Sequence, residues 1–256
     1  MTLAACTDAI RQQDPDRFGA VLVAPSEHRP ALITLYALNL EIARAPFQSA
    51  EPMLAEMRLQ WWIDRLAGMG QGTAPPLHDV LTPLWDIWGV KAAKLAGLAE
   101  ARRRDCAREP FASPEDVAGY IDGTTGALMW IAAQRLGAPV ATRGMVADHA
   151  RGAGLAAWLR ALPRLQPLGL GLRGTRPEEA VDLADLALDS LRMAARAHRS
   201  VPKTAAAALY PGPRIPRLLR EIRRGNIDPF TDTPEISPFQ RRASLARLAL
   251  TGRWWR

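Results

Sequence analysis

The run Tyr36 to Arg44, YALNLEIAR, is mostly apolar and carries one acid, Glu41, and one base, Arg44. It lies in a longer segment, SEHRPALITLYALNLEIARA (26–45), that reads as a helix starting at Ser26. Glu41 and Arg44 stand three residues apart, so they can pair on one helical face. Such a pair can form the polar floor of a ligand pocket or the salt bridge of a half-buried face, and both readings stay open. Asn39, like Asp122 further on, is a polar residue among apolar ones. Groups of this kind are more often satisfied core polars than ligands.

The rest of the chain follows the same pattern. Alternating Val, Ile and Thr runs are nearly absent, while Ala, Leu, Arg and Glu dominate and favour helix. SAEPMLAEMRLQWWIDRLAG (49–68) reads as a second helix, ended by a Gly-rich turn. A short helix near Leu77 to Trp88 leads into a long one through KAAKLAGLAEARRR (91–104). SPEDVAGYIDGTTGALMWIAAQRLG (113–137) has Ser113 as N-cap, Pro114 at the first position and Asp116 at the third, with Gly137 as its close. VATRGMVADHARGAGLAAWLRAL (140–162) is expected to stop at Pro163. Thr175 with Glu178 spells a capping box for PEEAVDLADLALDSLRMAARAH (177–198). Two shorter helices follow, near Lys203 to Leu209 and Arg214 to Arg224, then a Pro-rich loop (226–238) and a basic final helix. No repeat or linker divides the sequence. One all-α domain of eight to ten helices over residues 1–256 is expected.

Hydrophobic residues make up 48% of the 256-residue chain and charged ones 23%, a balance that argues against long disorder. No run of eighteen apolar residues occurs, and the opening MTLAACTDAIRQQD lacks the pattern of a secretory signal, so a cytoplasmic protein is expected. Cys6 and Cys106 fall in no metal or redox spacing and read as reduced and structural. The formal charge of +7 permits an anionic partner, such as a diphosphate or a phospholipid surface, and is equally met by a solvated Arg-rich exterior. His28, His78, His149 and His198 are widely spaced and form no ligand set. Without a phosphate loop, a nucleophile elbow or a nucleic-acid motif, no nucleic-acid partner is expected.

Four segments, read in order, resemble the squalene/phytoene synthase family over roughly residues 14–225. DPDRFGAVLVAPSEHRPALITLYAL places Asp16, Arg17, Pro25, Arg29, Tyr36 and Ala37 where the family has an Asp-Arg, an Ala-Pro with Arg, and a Tyr-Ala helix. RLQWW (58–62) resembles its Trp-bearing helix, and YIDGTTGALM (120–129) its Tyr segment, with Gly123 and Gly126 in register. GAGLAAWLRAL (152–162) resembles the helix that reads Asn-Ile-Leu-Arg-Asp in active members. The resemblance implies an isoprenoid synthase-like all-α cup that joins two prenyl diphosphates head to head. There Mg²⁺, held by Asp-x-x-x-Asp pairs on two helices, would neutralise the diphosphate leaving groups.

Those pairs are missing here. After Tyr36 the chain runs Ala37-Leu-Asn39-Leu-Glu41-Ile-Ala43-Arg44-Ala45-Pro46, with no aspartate. The second run becomes Ala157-Trp158-Leu159-Arg160-Ala161, and the partner position four further on is Leu165. The resemblance thus leaves an ancestral pocket without catalytic or metal-binding residues. Its candidates are Arg29, Tyr36, Asn39, Glu41, Arg44, Tyr120, Asp122, Gly123, Gly126, Trp158 and Arg160, with Trp158 expected to fill space. Asp185 and Asp189 have the right spacing elsewhere, but the solvated face of an amphipathic helix explains them, with Arg192 and Arg196 in reach. The family includes a branch without the aspartates whose mitochondrial members are assembly factors for respiratory complex I, and the sequence resembles that branch. It implies a non-catalytic binding or assembly factor with a protein partner and no cofactor. The alternative is a Mg²⁺-dependent prenyltransferase; a third reading places an isoprenoid or other lipid in the old cavity. The basic stripe Arg217, Arg220 and Arg224, and the tail SPFQRRASLARLALTGRWWR (237–256), would suit a peripheral membrane contact or docking of the tail on its own domain.

Overall fold

The computed structural model describes residues 3–232 and 234–255. It is helical, and among the described residues the only β pairing is an isolated bridge between Phe111 and Leu172. Contacts gather into two units, Met1–Ala107 and Arg108–Arg256. The first holds α1 (Leu3–Gln13), α2 (Pro15–Val23), α3 (Arg29–Arg44), α4 (Pro52–Gly70), α5 (Leu81–Trp88), α6 (Ala96–Glu100) and α7 (Arg104–Ala107). The second holds α8 (Pro114–Ile121), α9 (Ala127–Arg135), α10 (Arg143–Leu165), α11 (Pro177–Arg196), α12 (Ile215–Arg223) and α13 (Pro238–Thr251). A π turn, Asp122–Gly126, joins α8 to α9 into one continuous helix. Setting aside the short α6 and α7, ten substantial helices stand among the described residues.

In the first unit α3 is the buried centre. Every residue from Ala31 to Leu38 is buried, and α1, α2 and α5 pack around it. The buried Thr34 hydroxyl donates to the carbonyl oxygens of Pro30 and Ala31 and accepts from the Trp88 indole at 3.2 Å. Its three contacts satisfy the hydroxyl, as a buried polar group demands. α1 buries Cys6 and Ile10, and burial together with nearby Asp79 pushes the Cys6 thiol up to about 11, an inert neutral group. Both cysteines are buried and neither forms a disulfide.

In the second unit α10 is the spine. Its residues Leu155, Trp158, Leu159 and Leu162 meet Leu183, Ala187 and Leu188 of α11 in one apolar core, which Leu218, Leu219 and Ile222 of α12 close. Two glycines set how near the neighbours come. A Cβ on Gly152 would stand 2.7 Å from the Ala187 carbonyl oxygen and 2.6 Å from Leu191 Cγ, and one on Gly154 would stand 2.4 Å from Ile121 Cγ2.

Three sequence expectations are corrected. The segment 91–104 is not one long helix: a 3-10 run, Gly89–Leu95, precedes the short α6 and α7. It lies against α4 so closely that Gly70 Cβ space is taken by Ala93, and the tighter winding lets Ala92 and Leu95 both turn inward. α10 does not stop at Pro163 but runs to Leu165 with Pro163 inside it. The disruption is confined to the last turn, where a 3-10 turn, Gln166–Leu168, takes over at once. The Thr175–Glu178 capping box does not form; Arg176 is the N-cap residue, without a side-chain cap, and pairs with Glu179. The Ser113 cap is present, accepting from the Asp116 amide at 3.2 Å, and Gly137 closes with φ +90°. Segment 26–44 begins as a 3-10 turn, Ser26–His28, before α3. A capping box that sequence reading passed over, Ser237 with Gln240, opens α13.

Gly152→Ala and Gly154→Ala should each lower stability by about 1–3 kcal/mol through overpacking, read as a drop in urea midpoint. Gly119→Ala, on an open face of α8, should instead raise it by roughly 0.5–1 kcal/mol.

Candidate functional site

The ancestral-pocket candidates divide between the units. In the first unit Arg29 caps the end of α2: its Nε donates to the Ala24 carbonyl oxygen at 2.9 Å and its Nη2 to that of Leu22 at 2.8 Å. These carbonyls have no intrahelical partner, so Arg29 serves the fold. Tyr36 is buried beneath the Arg17 guanidinium, which stands 5.6 Å from the ring centroid. Arg17 is held by Asp14 at 2.6 Å, and Asp14 also caps α2. Desolvation pushes the Tyr36 phenol up to about 12, so it stays neutral and gives no ready proton. Glu41 and Arg44 pair at 3.3 Å, with Arg44 exposed and also reaching Gln13. Asn39 is half-buried. α3 ends at Arg44 and Pro46 lies in the 3-10 turn Ala45–Phe47 that follows.

In the second unit the π turn carries Asp122, Gly123 and Gly126. Thr124 donates to the Tyr120 carbonyl oxygen at 2.7 Å. Asp122 receives two bonds from Arg151, Nε at 3.0 Å and Nη2 at 2.6 Å, a bidentate pair that raises the arginine pKa. Arg151 was not among the sequence candidates, because its partner lies 29 residues away. Trp158 is buried edge-on to Phe111 at 5.9 Å, and Phe111 meets Tyr120 at 5.3 Å. Arg160 lines a small cavity of about 220 Å³ with Arg217, Glu221 and Ile227.

Neither motif position fits a magnesium ion. Mg²⁺ takes hard oxygen ligands in near-octahedral array, from one or two carboxylates plus water and phosphate. In the second run Ala161 and Leu165 bring no side-chain oxygen, and in the first run the one carboxylate, Glu41, is paired with Arg44. Among the described residues no three His, Cys, Asp or Glu side chains gather as a metal site. On α11, Asp185 pairs with Arg223 at 3.4 Å and Asp189 with Arg192, both toward solvent. No step of diphosphate ionisation can be derived from this set.

A further cavity, about 730 Å³, opens in the second unit among α11, α12 and α13. Sequence reading missed it, although the Pro-Gly-Pro break at 211–213 and the two tail tryptophans hinted that the chain folds back there. The tail docks on its own unit: Trp254 is buried edge-on to His149 at 4.5 Å, and Trp255 stacks on His198 at 4.0 Å.

A family model described as Squalene/phytoene synthase matches residues 10–162, more than half of the chain. The chain belongs to the squalene/phytoene synthase family. Curated proteins with similar sequences include "NADH dehydrogenase (ubiquinone) complex I, assembly factor 6" of Mus musculus, 25% identical across 98% of this chain and 81% of that protein. The protein of that name in Homo sapiens is 23% identical across 88% of this chain and 75% of its own length. The Drosophila melanogaster homolog is 25% identical across 86% and 75%. Among solved structures, a dehydrosqualene synthase in complex with ligand superposes with a TM-score of 0.76 over 96% of this chain and 94% of that one, at 14% identity. That likeness bears out the all-α isoprenoid synthase-like fold.

His149 supplies a pH test of this unit. Burial outweighs its bond to the Leu209 carbonyl and pushes its pKa down to about 4, below the ordinary value of 6.5. The unfolded chain therefore takes up the proton first. The contribution is complete above about pH 6.5 and is lost as pH falls toward 4, by up to about 3 kcal/mol. Urea midpoints at pH 7 and pH 4.5 should differ less for His149→Gln than for the parent protein.

Proposed function

We propose that this chain is a non-catalytic squalene/phytoene synthase family protein that acts as an assembly factor for respiratory complex I, through contact with a protein partner. The observation that carries the reading is the loss of all four motif carboxylates from a scaffold that keeps the family fold. Without them the diphosphate has no metal bridge, and isolated arginines do not replace several bound ions. The names of the curated relatives support the same reading. The prenyltransferase alternative would need Asp185 and Asp189 as metal ligands, and both already pair with arginines.

The work of such a factor lies near a membrane. Among the described residues no helix is long and apolar enough to cross one. A peripheral contact on the inner face is proposed instead, through α13, where Phe239 and Leu250 are exposed beside Arg242 and Arg247. No cofactor and no nucleic-acid partner is proposed.

Purified protein given farnesyl or geranylgeranyl diphosphate with Mg²⁺ should release no pyrophosphate above a heat-killed control. A deletion strain should lose assembled complex I and regain it with the parent gene and with Asp185→Ala/Asp189→Ala alike. Release of pyrophosphate that disappears in that double variant would sink the non-catalytic reading.

A further inference from the structure

The 730 Å³ cavity of the second unit shares no residue with the ancestral-pocket candidates. Its size falls within the roughly 300–1,000 Å³ of small-molecule sites. Its walls are apolar, from Leu188, Leu191, Ile215, Phe239 and Trp254. Its polar lining is one-signed: Arg192, Arg214, Arg217, Arg220 and Arg247 line it and no carboxylate does. Arg192 is engaged by Asp189, but Arg214 and Arg220 form no ion pair among the described residues. Arg214 and Arg220 thus leave positive charge uncompensated at the mouth of an apolar pocket, and an anion between them would be favoured.

The backbone adds to this. Arg214 sits in the left-handed region, φ +60°, a conformation that side chains other than glycine rarely hold and that gathers at binding sites. It is the N-cap residue of α12, nine residues long, and no side chain caps that end. The first turn of α12 lines the cavity with Ile215, Pro216 and Arg217, and the positive end of the helix dipole favours a negative group there. An independent observation points to a ligand. His149, buried and lining the cavity, bonds the Leu209 carbonyl oxygen through Nε2 at 2.7 Å. A carbonyl only accepts, so Nε2 carries the hydrogen and Nδ1 bears a lone pair. That buried Nδ1 has no partner, and a buried acceptor without a donor is disfavoured.

We propose that this cavity binds a single-chain anionic amphiphile, with its hydrocarbon chain against the α11 and α13 walls and its phosphate or carboxylate head at Arg214, Arg217 and Arg220. His149 Nδ1 accepts from a hydroxyl of the bound molecule. The site shares Phe239 and Arg247 with the proposed membrane face of α13, and it stands without the assembly role.

The test titrates the full chain with oleoyl lysophosphatidate below its micelle concentration, followed by calorimetry. Oleyl alcohol supplies the chain alone, glycerol 3-phosphate the anion alone, and phosphatidate vesicles a surface. Saturable one-to-one binding is expected for the lysolipid and neither fragment. Arg214→Glu/Arg220→Glu should weaken it by about tenfold or more, as loss of a charge-assisted contact does. Ala195→Trp, which fills the cavity from α11, should abolish it. If the double variant does not fold by circular dichroism, Arg220→Gln on its exposed side chain replaces it, with a smaller loss expected. The proposal is overturned if the alcohol or the glycerol phosphate binds as well as the lysolipid, or if the variants bind unchanged. Vesicle binding without lysolipid binding, unaffected by Ala195→Trp, would assign the arginines to a membrane surface and overturn it too.

Discussion

The closeness of α10 to its neighbours is the constraint on which the second unit rests. Gly152 admits the backbone of α11 and Gly154 admits Ile121 and the π turn, on two different faces of one helix. Interiors packed at crystal density have little slack, so these approaches fix where the rest of α10 points. One consequence is that Trp158 turns into the core against Phe111. Another is that His149 is held beneath the tail, with its ring against Trp254. The π turn follows the same logic: its wider winding sets Asp122 where Arg151 of α10 can grip it with two bonds.

The polar groups once expected around a ligand have taken up structural work. Arg29 terminates α2, Asp14 and Arg17 cover Tyr36, and Glu41 pairs with Arg44. Each bond satisfies a group that would otherwise be lost to water or left bare. Chemistry on a diphosphate needs charge gathered at one point, and these charges are spent in local pairs instead. A fold can outlast its reaction because packing and catalysis rest on different side chains. In this chain the apolar faces that build the family fold are present, and the two helical runs compared with the family's motifs carry no aspartate.

The second unit also leaves a space beneath its C-terminal helix. Among the described residues of its C-terminal helix only Leu248 is buried, and the tail tryptophans that follow dock on His149 and His198. Arginines from α11, α12 and α13 converge on that space. Long basic side chains can cover apolar walls with their stems while their heads stay near solvent, which keeps such a space open without exposing a greasy patch.

The all-α class was legible from composition and period alone, because Ala, Leu, Arg and Glu at helical spacing leave no strand to compete. So were the Ser113 cap and the Gly137 close, which depend on residues next to one another in the chain. The missing aspartates were equally plain, since an absent oxygen needs no coordinates. Tertiary structure decided the rest. The break of segment 91–104 and the unmade Thr175–Glu178 cap each reflect a neighbour's packing or a turn that outweighed a local preference worth about 1 kcal/mol, and α10 carries Pro163 within its last turn. The Asp122–Arg151 grip and the arginine-lined cavity join residues from 29 to more than a hundred positions apart, as His149 and Trp254 do. Local sequence fixes which stretches coil and which face of each is apolar; only the folded chain decides which distant charges come to share one space.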